Sequence, residues 1–369
     1  MASPTADALR SKSEPGLGHR LMPVDRDSGV PAWARAIGVT RVARVTGLDR
    51  CGVEVACAIR PAGQVLQVSN GKGRTFRDAQ ASALSEALEL WVCENVDPGR
   101  LHWLQAEPDA RFWPSEFLRP ADQLNRRRAV VQPWAEAERL DEAGRVFIPA
   151  SHVWCPSAGD ISVGLRDVSW TANGLGAHRD PARARWHGLL EVLEREALCR
   201  IFPDGWTPEH LETRGLRLEH DALAELEERG LRIHCVDATP ARWPVAVVAV
   251  LLADTDTRAP PLAAGYACRR TGPEAAEAAF FEACQSRLTE IHGAREDVAQ
   301  AVVTVPPWLL ASGKPRRSVS RLPEWRGSMA GLLKKLGVAA ASIDLSPQGV
   351  PLSVARVFVP GFRISDLLL

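Results

Sequence analysis

The chain has 369 residues, 46% of them hydrophobic and 24% charged, and 45 Lys plus Arg balance 45 Asp plus Glu. That length supports one large core or two smaller ones, and the even charge offers no basic field for nucleic acid and no polybasic run for a membrane surface. The eight cysteines form no C-x-x-C, which argues against a zinc cage or a disulfide framework.

Residues 1–20 are polar and turn-rich, without the apolar segment of a signal peptide, and are expected to form a loose tail. Residues 21–65 form an amino-terminal hairpin region: Val39 to Thr46 and Val53 to Ile59 read as strands around a Gly-rich loop. Val65 to Ser69 reads as a short strand, Gly71-Lys72-Gly73 as a turn, and Ala79 to Glu94 as a helix. Residues 97–128, rich in Pro, Trp and Arg, read as irregular. Val130 to Trp134 and Val146 to Trp154 follow as strands, separated by a charged excursion. Glu219 to Arg229 is an amphipathic helix, and Leu231 to Val236, Val245 to Leu252 and Leu262 to Ala267 are strands. Pro323 to Leu336 reads as a helix, with strands Ala340 to Asp344 and Val354 to Val359 at the end. Pro244 to Ala253, the longest apolar run, suits a buried strand and is too short to cross a bilayer. The expected fold is α/β (mixed α+β), with much antiparallel sheet, and the expected location is cytoplasmic.

One pattern recurs. On the helix ending at Glu94, the polar residues Ser82, Ser85, Glu86, Glu89 and Cys93 fall at offsets of three and four, so they share a face. Neighbouring residues are mostly apolar, and two carboxylates buried there without a cation would repel each other. A metal ion is the simplest partner. Asn173-Gly174-Leu175-Gly176 leads through Asp180-Pro181, an N-cap followed by an N1 proline, into a helix with Glu191 and Glu194. The stretch around Gly265 leads into a helix with Glu282 and Gln285, and Arg287 beyond. In each copy a Glu lies 15 to 17 residues after the first glycine. Glu191 also has Arg195 at i+4, a spacing that serves a plain surface ion pair equally well. His187 shares the stripe of Glu191, but a lone histidine is more often a packed one. His152, Trp154 and Cys155 carry no signal beyond core packing. None of the glycine stretches completes a P-loop or a Gly-x-Gly-x-x-Gly, although backbone N–H groups at a helix start, with Lys72, would suit an anion.

Taken together, Ser69-Asn70-Gly71-Lys72-Gly73, Ser82-x-x-x-Glu86-x-x-Glu89, Asn173-Gly174-Leu175, Glu191-x-x-Glu194-Arg195, Glu282-x-x-Gln285-x-Arg287 and Arg356-Val357-Phe358-Val359-Pro360-Gly361 resemble the YcaO family. The likeness runs from about Gly38 onward, so residues 66–369 are expected to form a YcaO-like ATP-binding domain. It is strongest to standalone members paired with a TfuA-type partner. Leu90 stands where many members have Arg.

The resemblance implies ATP and Mg2+ as cofactors, and a peptide or protein substrate whose backbone amide oxygen is phosphorylated. It places Glu86, Glu89, Glu191 and Glu194 on the metal, and Lys72, Ser82, Asn173, Gln285 and Arg287 on the nucleotide. A TfuA-like partner is expected, and a homodimer is compatible. The family's azoline-forming members commonly end in a proline-rich tail, which Phe362 to Leu369 lacks. That difference favours thioamide formation over an azoline-forming cyclodehydratase. An alternative of another class is a nucleotide-binding accessory factor for a separate modifying enzyme, such as one acting on a ribosomal protein.

Overall fold

A computed structural model describes residues 29–105, 131–157, 160, 162–164, 170–218, 223–256, 260–294, 305–310 and 317–365. The expected tail at 1–20 and most of the expected irregular stretch lie outside those residues. Among the described residues there are three sheets, and all their ladders except one are antiparallel. The first has the order β1 (Arg41–Arg44), β2 (Glu54–Ile59), β3 (Val68–Gly73). The second runs β4 (His102–Gln105), β5 (Val131–Arg139), β13 (Ala341–Asp344), β14 (Ser353–Phe358), β7 (Leu175–His178), with β6 (Arg145–Pro149) also on β5. The third runs β11 (Leu262–Arg269), β10 (Ala246–Asp254), β9 (Leu231–Asp237), β8 (Gly215–Arg217), β12 (Arg317–Ser318), the last pair being parallel. The expected mixed α+β class is the one observed.

Three long helices follow the edge strands β3, β7 and β11. They are α1 (Phe76–Glu94), α2 (Pro181–Ile201) and α3 (Gly272–His292). Their starts are written in the sequence. Thr75 and Asp78 form a capping box on α1, Asp180 caps α2 ahead of Pro181, and Thr271 accepts from the Glu274 N–H of α3. The capping box starts α1 three residues earlier than the apolar pattern implied. A shorter helix, α4 (Met329–Leu336), begins only where Ser328 caps the Gly331 N–H, so residues 323–328 of the expected helix are not helical. The two strands expected between 130 and 154 form a hairpin in which β5 continues to Arg139 and turns back into β6, but β6 ends at Pro149 and Ala150–Val153, expected as strand, form a helical turn.

Of the glycine stretches, Asn173-Gly174 is a turn, with Gly174 at a φ of 81°, but the other glycines are in strands. Gly71 and Gly73 lie inside β3, Gly176 inside β7 and Gly265 inside β11. Glycine is depleted in strands unless another backbone must come close, and here one does. A Cβ on Gly71 would lie 2.1 Å from the Ala83 nitrogen and 2.2 Å from the Ala79 oxygen of α1. On Gly265 it would meet the Ala283 nitrogen at 2.1 Å and the Ala279 oxygen at 2.2 Å of α3, and on Gly176 the Ala184 oxygen of α2 at 2.4 Å. In each copy a bare strand lets its own helix lie backbone to backbone against it.

Each helix also reaches the next copy's edge strand: α1 packs on β7, α2 on β11 and α3 on β3. The three strand–helix units therefore close into a ring. Its three larger hydrophobic clusters lie between neighbouring units. Leu84 and Leu88 of α1 meet Ile148 and Phe358; Leu189 and Leu193 of α2 meet Val247 and Val357; Phe280 and Leu288 of α3 meet Val248 and Val250. β10 is buried on both faces, which accounts for its unbroken apolar sequence.

Candidate functional site

Edge strands leave alternate N–H groups without a ladder partner, and in this ring carboxylates take them. Glu86 of α1 accepts from the Asn70 N–H of β3 at 2.9 Å. Glu89, one turn later, accepts from the backbone of Ala177 on β7. Glu194 of α2 accepts from the Cys268 N–H of β11 at 3.1 Å. The ring closes between α3 and β3, where Glu282 Oε2 lies 2.8 Å from Lys72 Nζ and Asn70 Nδ2 donates to Thr289 Oγ1 at 2.7 Å.

The carboxylates of different units are close enough to feel one another. Burial, then Glu191 and Glu86, push Glu89 up to about 8 against the Ala177 hydrogen bond. Burial likewise pushes Glu191 up to about 8, opposed by Arg195 and reinforced by Glu194 and Glu282. Glu194 is raised by burial and by Glu282. Glu282 goes the other way: burial opposes its charge, but Lys72, Arg195 and Arg269 outweigh it and hold it ionised. Arg195 Nε stands 3.8 Å from Glu194 Oε1, and its charge is sustained against burial by Glu194, Glu191 and Glu282. Burial, Arg269 and Lys72 push His187 down to about 4, so the imidazole is neutral.

Five carboxylates and three cations, Lys72, Arg195 and Arg269, thus meet where the three units face each other. The acids outnumber the bases, and the protons on Glu89 and Glu191 stand where a cation would supply the missing charge. These are hard oxygen donors of the kind that suit Mg2+. Among the described residues, no three His, Cys, Asp or Glu side chains sit close enough to hold a metal alone. A second observation fits a nucleotide: Asn173 is 6% exposed and its Oδ1 lacks a hydrogen-bond partner.

Of the residues expected at the site, Glu86, Glu89, Glu191, Glu194 and Lys72 come together. Ser82 and Gln285 are half-buried, each one turn from a ring carboxylate on the same helix. Arg287 is placed differently. It lies five positions after Glu282, about 140° around α3. There Nε meets Asp49 at 3.1 Å, Nη2 meets Asp254 at 2.9 Å, and Nη1 donates to the Pro260 carbonyl. At 2% exposure it ties the loop after β1 to α3 and β10, and its donors are committed there rather than to phosphate. Arg269, His187 and the ionised role of Glu282 were not assigned from sequence. His187 and Glu282 carried a spacing signal; Arg269 carried none. A separate cleft of about 820 Å³ lies where β4 and β13 part along β5, and none of the ring carboxylates lines it.

The strand–helix ring pools carboxylates and cations of the kinds that suit a divalent cation and a polyphosphate. The sequence model of the YcaO family, described as YcaO cyclodehydratase, ATP- and Mg2+-binding, matches residues 70–363, and the chain belongs to that family. ATP and Mg2+ are the family's cofactors. The chain is 30% identical over 89% of its length to an uncharacterized protein of Methanothermobacter thermautotrophicus, covering 90% of that protein. It is 27% identical over 93% of its length to an uncharacterized protein in the tfuA 3′ region of Rhizobium leguminosarum bv. trifolii, covering 88% of it. Among solved structures, YcaO from Methanopyrus kandleri bound with AMPPCP and Mg2+ has the same fold, with a TM-score of 0.67 at 21% identity over 89% of this chain and 87% of that one. A heterocyclase in complex with substrate and cofactor matches at a TM-score of 0.68 and 17% identity over 88% of this chain, which spans half of the heterocyclase. No helix among the described residues is long and apolar enough to cross a membrane.

Proposed function

We propose that the chain uses ATP and Mg2+ to activate a peptide backbone amide and converts it to a thioamide in a ribosomally made peptide or protein. The observation that carries this reading is the meeting of Glu86, Glu89, Glu191 and Glu194 from two helices, with Lys72 and Arg195 between the units. Bound Mg2+ would neutralise the phosphates and orient the γ-phosphoryl group. The four glutamates would hold the metal, and the protons on Glu89 and Glu191 would leave as it binds. Ser82, Asn173 and Gln285 contact the nucleotide, and Lys72, freed from Glu282, turns its ammonium to phosphate. Neutral His187 adds no positive charge to compete with the cation.

In the reaction the amide oxygen attacks the γ-phosphorus, an O–P bond forms, and the bond to ADP breaks. Sulfide then adds at the amide carbon, and phosphate departs carrying the former amide oxygen. The relative in a tfuA 3′ region supports a TfuA-like partner and, with it, sulfur as the nucleophile. A second reading, azoline formation by a Cys, Ser or Thr side chain of the substrate, is favoured by the family's cyclodehydratase description and by the heterocyclase fold.

The test is mass spectrometry of a cognate peptide incubated with the chain, ATP, Mg2+, sulfide and the TfuA-like partner. Thioamide formation adds the mass difference between sulfur and oxygen. Loss of one water without sulfide would replace the thioamide reading with the azoline one, and ATP bound but never hydrolysed would overturn both.

A further inference from the structure

Arg356 is a charged side chain at 2% exposure on β14. Nη1 donates to the Val153 carbonyl at 2.9 Å and Nη2 to the Thr171 carbonyl at 2.6 Å. Its guanidinium lies between two rings, 5.0 Å from the centroid of Trp170 and 5.1 Å from that of Phe358. Burying a cation is expensive unless it is well paired, and here both Nη groups and the guanidinium's faces are engaged. The two carbonyls belong to separate segments, the helical turn Ala150–Val153 and the turn entering β7.

That second turn, Thr171 to Gly174, carries Asn173, whose N–H donates to Thr171 Oγ1 at 3.4 Å and whose buried Oδ1 lacks a partner. The turn is pinned again at its far end. Gly174 has a φ of 81°, the Val357 N–H donates to its carbonyl at 2.8 Å, and a Cβ there would lie 2.1 Å from the Val357 oxygen. Residues 356 and 357 therefore grip both ends of the segment that carries one unsatisfied amide oxygen. Such an oxygen accepts a hydrogen bond or a cation, and ATP·Mg2+ brings ribose hydroxyls, an adenine amino group and the metal.

We propose that Arg356 is a positioning residue for the nucleotide, holding the Thr171–Gly174 turn so that the Asn173 carboxamide is fixed for ATP·Mg2+. This rests on the nucleotide reading above and adds to it a residue that acts through Asn173. Lysine keeps the charge but cannot bridge two carbonyls from a planar fork.

The experiment is a double-mutant cycle read by calorimetric titration of ATP with Mg2+ present. Arg356→Lys should weaken binding about tenfold. Asn173→Ala should weaken it by a similar factor, and Arg356→Lys should add nothing in the Asn173→Ala background. Equal affinity of Arg356→Lys and wild type, or two effects that multiply, would overturn the proposal, since general loosening does not depend on Asn173. If Arg356→Lys fails to fold by circular dichroism, Trp170→Leu, which strips one ring and leaves both hydrogen bonds, takes its place with the same non-additivity expected. A wild type that binds no ATP would remove the nucleotide reading itself and this role with it.

Discussion

Lys72 on β3 and Glu282 on α3, 210 residues apart, form an ion pair of 2.8 Å that joins the last strand–helix unit to the first. With Arg195 and Arg269 it keeps that carboxylate charged beside Glu194 and Glu191. Lys72→Met should therefore leave Glu282 in contact with its acidic neighbours alone, apart from Arg195 and Arg269. Both side chains are about a quarter exposed, so the stability change should stay near 1 kcal/mol or below. ATP affinity should fall far more visibly, and unchanged affinity in calorimetry would place Lys72 outside the phosphate site.

Glu89→Gln removes a charge while keeping an oxygen for the Ala177 backbone. The fold should survive, and Mg2+-dependent ATP turnover should drop at least about 100-fold, the upper end for outer-shell changes. A variant that turns over normally would take Glu89 off the metal.

The pH dependence has a definite sign. Glu89 and Glu191 hold protons up to about 8 in the folded chain against an ordinary value of 4.5. Between those values the folded state binds more protons than the unfolded one, so the ligand-free chain loses stability as pH rises through that window. Denaturant titrations at several pH values should show this slope, and Glu89→Gln should flatten it. Binding of ATP·Mg2+ should release protons, seen as a calorimetric enthalpy that varies with the buffer's ionisation heat. A slope equal in wild type and variant would mean that Glu89 ionises normally.

Gly71→Ala forces a methyl against the α1 backbone and should cost about 3 kcal/mol or fail to fold. Gly47→Ala is the control: nothing lies within 4 Å of its added carbon, and its effect should stay within about 0.5 kcal/mol. Similar stabilities by thermal melting would contradict the close strand–helix contact.

Arg287→Lys should act on the fold rather than the ligand. Its side chain and those of Asp49 and Asp254 are at most 4% exposed, and breaking such a network costs about 3–5 kcal/mol. The folded fraction should bind ATP as wild type does; weakened binding at unchanged stability would return Arg287 to the nucleotide.

The sequence by itself determined the helices and their acidic faces. Spacings of three and four are local, as are the Thr75, Asp180 and Thr271 caps, so Glu86 with Glu89 and Glu191 with Glu194 were legible from the chain alone. The family likeness was legible for the same reason, since it rests on short motifs. Only the tertiary structure decided what those faces meet. Gly71 and Gly73 read as a turn because local preference disfavours glycine in a strand, and the helix backbone that requires a bare strand is a neighbour in space. The family resemblance placed Arg287 on the nucleotide, whereas its partner Asp49 lies 238 positions away in the chain. The raised carboxyls of Glu89 and Glu191 depend on burial and on charges from other units, and a linear pattern carries neither.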